Sequence, residues 1–285
     1  MTATIATKNN LSDASVEEHT KLEAMLDALN KEEMEIAANA SYDHLLEQNW
    51  EETESYAKQF ALRFLRAKDG DESKALSRMK DTLQFRKEVD VDALRKAFNR
   101  GGNKEYAEKL EQDLQSKFLY VAGHDKEGRS TYVFVPRNVE GHDEEWTIKE
   151  HVYTLERAIA SSQSADQTVN AVVDFNGFSL RNAPPTHIGK AFMNTFRNHY
   201  AGAINGIFFV DAPSCFYALW SVFKPLIGKK TRNKIHFVNS RKNDLSKFYN
   251  PSEAPQWMMR NGKKSRELDL EEYLHQTSFN QVFDA

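Results

Sequence analysis

The sequence is poor in cysteine and has no long apolar run. Its single cysteine, Cys215, excludes an internal disulfide and fits a reducing compartment. No apolar stretch approaches the length of about 20 residues that a membrane-spanning helix needs. Residues 1–15 contain no apolar segment of the kind that a secretory signal carries. We therefore expect a cytoplasmic protein whose contact with membranes is peripheral and transient.

Strong net charge and the common catalytic motifs are also missing. The formal net charge of -4 argues against a general nucleic-acid binder, whose affinity would come from a basic surface. There is no nucleophile elbow, no glycine-rich phosphate loop and no zinc-protease helix motif, and the nine histidines show no metal-ligand spacing. We predict no catalytic residue, no metal and no cofactor, and a protein that is not an enzyme.

The first third of the chain has a helical pattern. Residues 1–14 are small and polar and predict a disordered arm. Residues 15–100 predict a helical lobe, because apolar residues recur at helical spacing in two stretches. These residues are Leu22, Met25, Leu26 and Leu29, followed by Phe60, Phe64 and Leu65.

Beyond residue 117 the pattern changes to short apolar runs that alternate with helical segments. The runs are 118–121, 132–135, 171–173, 207–210 and 235–238. Continuous apolar runs predict strands that are buried on both faces, and strands alternating with helices predict an α/β lobe with a mostly parallel, mixed five-stranded sheet. We place this lobe at residues 117–265 and a C-terminal tail at 266–285. Thr147–Glu150 has the pattern of a capping box at the start of one helix.

An unusually aromatic segment follows the fourth run. Ser214 is a candidate N-cap, and Phe216, Leu219, Trp220 and Phe223 lie at i, i+3, i+4 and i+7. Two interpretations remain open, a surface helix that faces the core and a movable lid that faces a cavity and contacts a bilayer.

Acidic residues end two of the predicted strands. Asp174 and Asp211 would lie at the carboxyl edge of a parallel sheet, where a metal-dependent hydrolase places its ligands. Each is also followed by residues typical of turns, and we favour turn capping.

Several segments in order along the chain resemble motifs of one family. They are FALRFLRAK (60–68), TLQFRK (82–87), DKEGRSTY (125–132), VVDFNG (172–177), FVDAP (209–213), FKP (223–225) and KTRNKIHFVNS (230–240). Each is similar to a motif of the CRAL-TRIO lipid-binding family, and together they look most like the yeast phosphatidylinositol-transfer type.

The resemblance implies a fold and a ligand. The fold is a helical N-terminal lobe followed by a CRAL-TRIO α/β lobe, with a gating helix at 214–227 over a hydrophobic pocket. The expected ligand is one phospholipid, with phosphatidylinositol leading, bound by a monomer. The pocket and gate residues expected from it are Tyr132, Val173, Phe175, Phe209, Phe216, Leu219, Trp220, Phe223 and Ile227.

The resemblance also implies a headgroup site. The positions that hold the inositol phosphate in the relatives fall on Lys68, Thr231 and Lys234, which suit a phosphodiester. The family's glutamate is replaced by Gly202. The hydroxyl residues that relatives offer to a choline lipid are replaced by Val169 and Ala171. A sterol or another apolar ligand therefore stays open beside a phospholipid.

Three functions compete at this point. A lipid-transfer protein requires an open apolar pocket behind the 214–227 segment. A regulatory or protein-interaction module of the same fold predicts a pocket filled by side chains. A metal-dependent enzyme requires Asp174 and Asp211 to face a cleft together.

Overall fold

The computed structural model describes residues 10–41, 49–139, 143–164, 166–181, 183, 185–242, 244–251, 254, 258–259 and 273. Over these residues the predicted fold class is confirmed, with helices first and a five-stranded sheet after them. None of the described helices is both long and apolar enough to cross a membrane.

The amino-terminal region is helical. Its apolar stripes meet in one core, in which Leu22, Phe64 and Met79 are nearly or fully buried. The described helices here are α1 (Val16–Asp27), α2 (Lys31–Asn39), α3 (Trp50–Ala67), α4 (Glu72–Val89) and α5 (Val91–Arg95), and α6 (Lys104–Leu114) leads into the sheet.

The sheet follows chain order. Its strands are β1 (Leu119–His124), β2 (Ser130–Phe134), β3 (Val169–Asp174), β4 (Ile204–Val210) and β5 (Ile235–Val238). The β1–β2 pair is antiparallel, and β2 to β5 run parallel in the order β1-β2-β3-β4-β5. Because each parallel strand lies beside the previous one, right-handed crossovers place the connecting helices on one face of the sheet.

Those connecting helices leave space above the sheet. They are α7 (Glu144–Ser161), α8 (Thr186–His199), α9 (Ser214–Phe223) and the short α10 (Lys229–Arg232). The opposite face is covered by the chain after β5, since Val172 and Phe208 pack against Leu245, Tyr249 and Met259. The two faces therefore differ, one tightly packed and one partly open.

Two helix starts differ from the sequence prediction. Helix α7 begins one turn earlier than predicted, because the Asp143 side chain caps it by accepting from Trp146 N at 3.1 Å. Thr147 lies inside the first turn, where its hydroxyl donates to Asp143 O. Helix α9 has Pro213 at the N-cap position, and Ser214 is its first residue.

Two further expectations need correction, and the predicted C-terminal tail has one described residue. Strand β5 is not buried on both faces, since it lies at the sheet edge and Phe237 is 40% exposed. Residues Asn10–Asp13, within the predicted disordered arm, form a 3-10 turn, and Asp13 pairs with Arg66 at 3.3 Å. Tyr273, within the predicted C-terminal tail, is fully buried in the sheet core.

Candidate functional site

A cavity of about 690 Å³ lies between the sheet and the helices that cover its open face. Side chains alternate across a strand, so the residues of β2 to β5 that face this space lie two apart along each strand. These floor residues are Tyr132, Phe134, Ala171, Val173, Ile207, Phe209 and Ile235. The floor is therefore almost wholly apolar.

The opposite wall is built from aromatic residues of α8 and α9. On α8, Phe192 and Phe196 lie one turn apart with ring centroids at 4.2 Å. On α9, Phe216 lies 4.2 Å from Phe175, and Trp220 lies 5.5 Å from Phe209. Aromatic side chains bury large apolar areas, so these contacts hold α9 against the cavity.

Most of the residues predicted for the pocket and gate border this cavity. Tyr132, Val173, Phe175, Phe209, Phe216, Trp220 and Ile227 line it. The side chains of Leu219 and Phe223 lie outside the described part of the structure.

The cavity changes character near the beginnings of β3, β4 and β5, where basic side chains line it. They are Arg63, Arg66, Arg78, Arg197, Lys230 and Lys234. Asp166 and Thr168 lie at the same end, and Thr231 is exposed at the rim. The cavity is thus apolar along the sheet and cationic at one end.

Several of these cations are already satisfied within the protein. Arg66 pairs with Glu18 at 2.9 Å, and Lys230 pairs with Asp69 at 2.6 Å. Arg78 donates to the backbone carbonyls of Arg197 and Asn198.

Arg63 and Lys234 differ from them. Within the described ranges neither has a carboxylate within 4.0 Å, and the Arg63 Nε atom is buried with no hydrogen-bond partner. Arg63 donates to Gln167 Oε1 at 2.8 Å and Lys234 to Ile204 O at 2.6 Å. Burial lowers the pKa of both groups. A bound anion would offset the desolvation of these two cations.

The predicted headgroup residues are not all at this end. Thr231 and Lys234 line the cavity, but Lys68 is not among its lining residues. Helix periodicity explains the difference, because one face of α3 lines the cavity through Gln59, Leu62, Arg63, Arg66 and Ala67. Lys68 caps the helix and is off that face.

Sequence reasoning therefore missed Arg63 as a cavity residue. The signal was present in the i, i+3, i+4, i+7, i+8 spacing of the α3 face. Gly202 also lines the cavity, with a positive φ of 69° and open space where a side chain would begin. Ala171 is on the floor, and Val169 is fully buried.

The two carboxylates of the metal hypothesis cap turns. Asp174 accepts from Arg137 at 2.8 Å and from Asn176 N at 2.9 Å. Asp211 accepts from the Ser240 backbone N–H and hydroxyl at 3.0 and 2.6 Å. Over the residues described, no three His, Cys, Asp or Glu side chains form a group that could hold a metal ion.

Comparison with known proteins identifies two family domains in the chain. A family model described as the CRAL/TRIO domain matches residues 114–258, and the CRAL/TRIO N-terminal domain matches 21–81. The phosphatidylinositol/phosphatidylcholine transfer protein SFH7 of Arabidopsis thaliana is 26% identical over 63% of this chain and 35% of its own length. The phosphatidylinositol transfer protein CSR1 of Eremothecium gossypii is 26% identical over 70% of this chain and 46% of its own length.

The chain thus spans less than half the length of either of these two relatives. The crystal structure of Sfh5 superposes with a TM-score of 0.65 at 16% identity, covering 91% of each chain. That similarity describes the fold.

Proposed function

Because the chain belongs to the CRAL-TRIO family, we propose that it binds one phospholipid in the cavity and exchanges it between membranes, with phosphatidylinositol as the leading ligand. The observation that carries the proposal is an apolar cavity whose cationic end holds Arg63 and Lys234, both without a carboxylate partner in the described residues. A phospholipid has the matching distribution of apolar chains and one phosphate charge.

The apolar part of the cavity fits acyl chains. Transfer of a chain from water into an apolar site gains about 0.8 kcal/mol for each CH₂ group. The floor of β2 to β5 and the aromatic wall of α8 and α9 provide such a site. Burial of the acyl chains in this cavity can therefore drive extraction of a lipid from a membrane without a covalent step.

The cationic end fits a phosphodiester. Arg63 and Lys234 supply charged donors, and Thr231 supplies a hydroxyl at the rim. In similar proteins a glutamate accepts hydrogen bonds from the inositol hydroxyls, and Gly202 stands at its position in this chain. Asp166 lines the same end of the cavity and offers a carboxylate in its place. Both relatives named above are phosphatidylinositol transfer proteins, which supports an inositol lipid.

The outer face of α9 fits a membrane surface. Tyr217 and Val222 are exposed there, and the Tyr217 ring stacks at 5.3 Å on Phe237 of the edge strand. Exposed Lys224 and Lys229 follow in the chain. Aromatic anchors beside basic residues are typical of proteins that lie on anionic bilayers, and α9 would open the cavity at that surface.

The regulatory-module alternative predicts a cavity that its own side chains fill. The open volume of about 690 Å³ argues against it.

Native mass spectrometry with lipid analysis of protein purified from a eukaryotic host tests the proposal. We expect one co-purifying phospholipid per chain. Arg63→Met and Lys234→Met should each lower its retention about tenfold, since each removes one charged contact to phosphate. Lys68→Met is the matched control, because it removes a charge from the same lobe outside the cavity lining.

Two results would contradict the proposal. If no lipid co-purifies and none is taken up from added vesicles, the transfer function is wrong and the interaction module is favoured. If Lys68→Met lowers retention as much as Lys234→Met does, the placement of the headgroup is wrong.

A further inference from the structure

One polar pair lies in the apolar wall of the cavity. The hydroxyl of Tyr132 on β2 and Nδ1 of His151 on α7 are hydrogen bonded to each other. Both side chains line the cavity, and they are only 2% and 3% exposed. Aromatic rings surround the pair, with Phe192 at 3.9 Å and Phe134 at 5.5 Å from the imidazole. A polar group in such surroundings is unfavourable unless its hydrogen bonds are satisfied.

Both members of the pair are uncharged at neutral pH. Burial lowers the pKa of His151 to about 3, so the imidazole stays neutral. Burial, together with the nearby Glu150, raises the pKa of the Tyr132 hydroxyl well above its usual value. The pair therefore holds two protons that can be donated, one on oxygen and one on a ring nitrogen.

The hydrogen bond between Tyr132 and His151 uses one of these two protons. If Tyr132 donates to Nδ1, the Nε2–H of His151 remains, and if Nδ1–H donates to the tyrosine oxygen, the O–H remains. No other hydrogen bond reaches either side chain from the residues that the structure describes. In both arrangements one N–H or O–H group of the pair is left to donate a hydrogen bond into the cavity. The group that would satisfy it is a hydrogen-bond acceptor on the ligand.

The position of the pair indicates which acceptor that is. Arg63 and Glu156 border the same small secondary cavity, and His151 precedes Glu156 by five residues on α7. At a rise of about 1.5 Å per residue, His151 lies about 7.5 Å along α7 from Glu156, which is beside Arg63 of the cationic end. In a glycerolipid, the ester carbonyls follow the phosphate after the few bonds of the glycerol unit.

We propose that the Tyr132–His151 pair donates a hydrogen bond to an acyl ester carbonyl of the bound glycerolipid and thereby selects ester-linked over ether-linked lipids. The inference rests on the proposed phospholipid-binding function and deepens it. It assigns the pair to the glycerol region of the ligand, between the phosphate and the acyl chains. A diether lipid in the same position would leave the spare donor unpaired in an apolar wall.

The test compares two lipids that differ only at the linkage. The full chain is incubated with vesicles that contain equal amounts of diester and diether phosphatidylinositol of the same chain length, and the extracted lipid is analysed. We expect a preference for the diester of about fivefold, the size of one net hydrogen bond. The Tyr132→Phe/His151→Phe variant, which keeps two aromatic rings, should take up both lipids equally.

Phe134→Leu is the control. It alters the same wall without removing a hydrogen-bonding group, so it should lower uptake of both lipids and leave their ratio unchanged. Equal uptake of both lipids by the wild type would overturn the inference and leave phospholipid binding intact, whereas uptake of neither would overturn both. A fivefold preference that survives in the double Phe variant would also overturn it.

A second measurement decides the question if the double variant fails to fold. The wild type is loaded with diester lipid that carries a ¹³C label at the ester carbonyls, and the carbonyl stretch is recorded by infrared spectroscopy. A carbonyl band shifted to lower wavenumber than that of the lipid in a dry apolar solvent is expected from a hydrogen bond. An unshifted band would show that the donor is not used.

Discussion

Glu150 is a buried acid in the first turns of α7, beside the proposed carbonyl donor. It is 4% exposed, and its Oε1 atom has no hydrogen-bond partner among the residues described. Burial, with a further contribution from the nearby Asp113 carboxylate, raises its pKa to about 9. Glu150 therefore remains protonated in the folded protein at neutral pH, whereas it ionises in the unfolded chain.

This difference predicts a pH-dependent stability. Between pH 4.5 and about 9 the folded state binds a proton that the unfolded state releases, so the free energy of unfolding falls as the pH rises. Glu150→Gln should stabilise the protein by about 1 to 3 kcal/mol at pH 8, and the gain should vanish toward pH 4.5. Urea unfolding at the two pH values measures it.

Glu145→Gln on the same helix is the control, since Glu145 is exposed and pairs with Lys149 across one turn. It should change the stability by less than about 0.5 kcal/mol at either pH. A Glu150→Gln gain that does not change with pH would contradict the assignment.

At this scale the sequence predicts residue chemistry better than residue position. The apolar floor positions Val173 and Phe209 follow from strand alternation, and both line the cavity. The positions of the basic residues in the cavity are harder to predict, because a shift of one residue along a helix turns a side chain by about 100°. Lys68 and Arg63 belong to the same motif, yet only Arg63 is on the α3 face that lines the cavity. The His151 partner of Tyr132 comes from a separate helix, and no motif or spacing in the sequence indicates that contact.

Among the elements, the strands were predictable and the helix starts were not. Apolar runs of β-branched and aromatic residues identify buried strands, because few other structures bury so short a run on both sides. Helix α7 offers two N-cap candidates one turn apart, Asp143 and Thr147, and the sequence alone does not rank them. The edge position of β5 depends on the strand order, a property of the whole sheet.

Helix α9 allows a prediction about the gate. Trp220 faces the cavity and Phe209, whereas Ser221, the next residue, is exposed. Trp220→Asp places a charge in the apolar wall and should lower lipid transfer between vesicles at least tenfold, with little change in the fold. A fluorescent-lipid transfer assay measures the rate.

Trp220→Leu is the control, because it keeps an apolar side chain at the same position, and it should retain most of the transfer rate. If both substitutions reduce transfer equally, the introduced charge is not the cause and the effect predicted for Trp220→Asp is wrong.

For the molecule as a whole, a buried ionic cluster joins the amino-terminal helices to the sheet lobe. Glu156 of α7 binds Arg86 of α4 at 2.6 Å, lies 3.9 Å from Arg95 of α5, and accepts from the Tyr200 hydroxyl at 2.9 Å. All three charged residues are nearly fully buried. Although burial opposes it, Arg86 holds the pKa of Glu156 below its usual value, so the carboxylate stays charged.

Glu156→Gln should be strongly destabilising. It removes the carboxylate that pairs with Arg86 and lies near Arg95, and the partly exposed Asp92, 3.8 Å from Arg86, offsets little of that loss, so the expected cost is about 3 kcal/mol. Lys87→Met is the control, because Lys87 pairs with Glu32 at the surface and its loss should cost less than about 1 kcal/mol. Chemical unfolding of both variants measures the difference, and similar small losses would mean that the cluster does not hold the lobes together.

Tyr273 attaches the C-terminal part of the chain to the edge of the sheet. Its hydroxyl accepts the backbone N–H of Val121 on edge strand β1 at 3.0 Å, and its ring packs 4.0 Å from the Arg157 guanidinium. A fragment that stops at residue 258 lacks this tyrosine. It would present an unpaired N–H on β1 to any neighbouring chain and lose the ring against Arg157, so such a fragment invites edge-to-edge aggregation. The segment that matches the family is therefore shorter than the segment that protects the β1 edge at Val121.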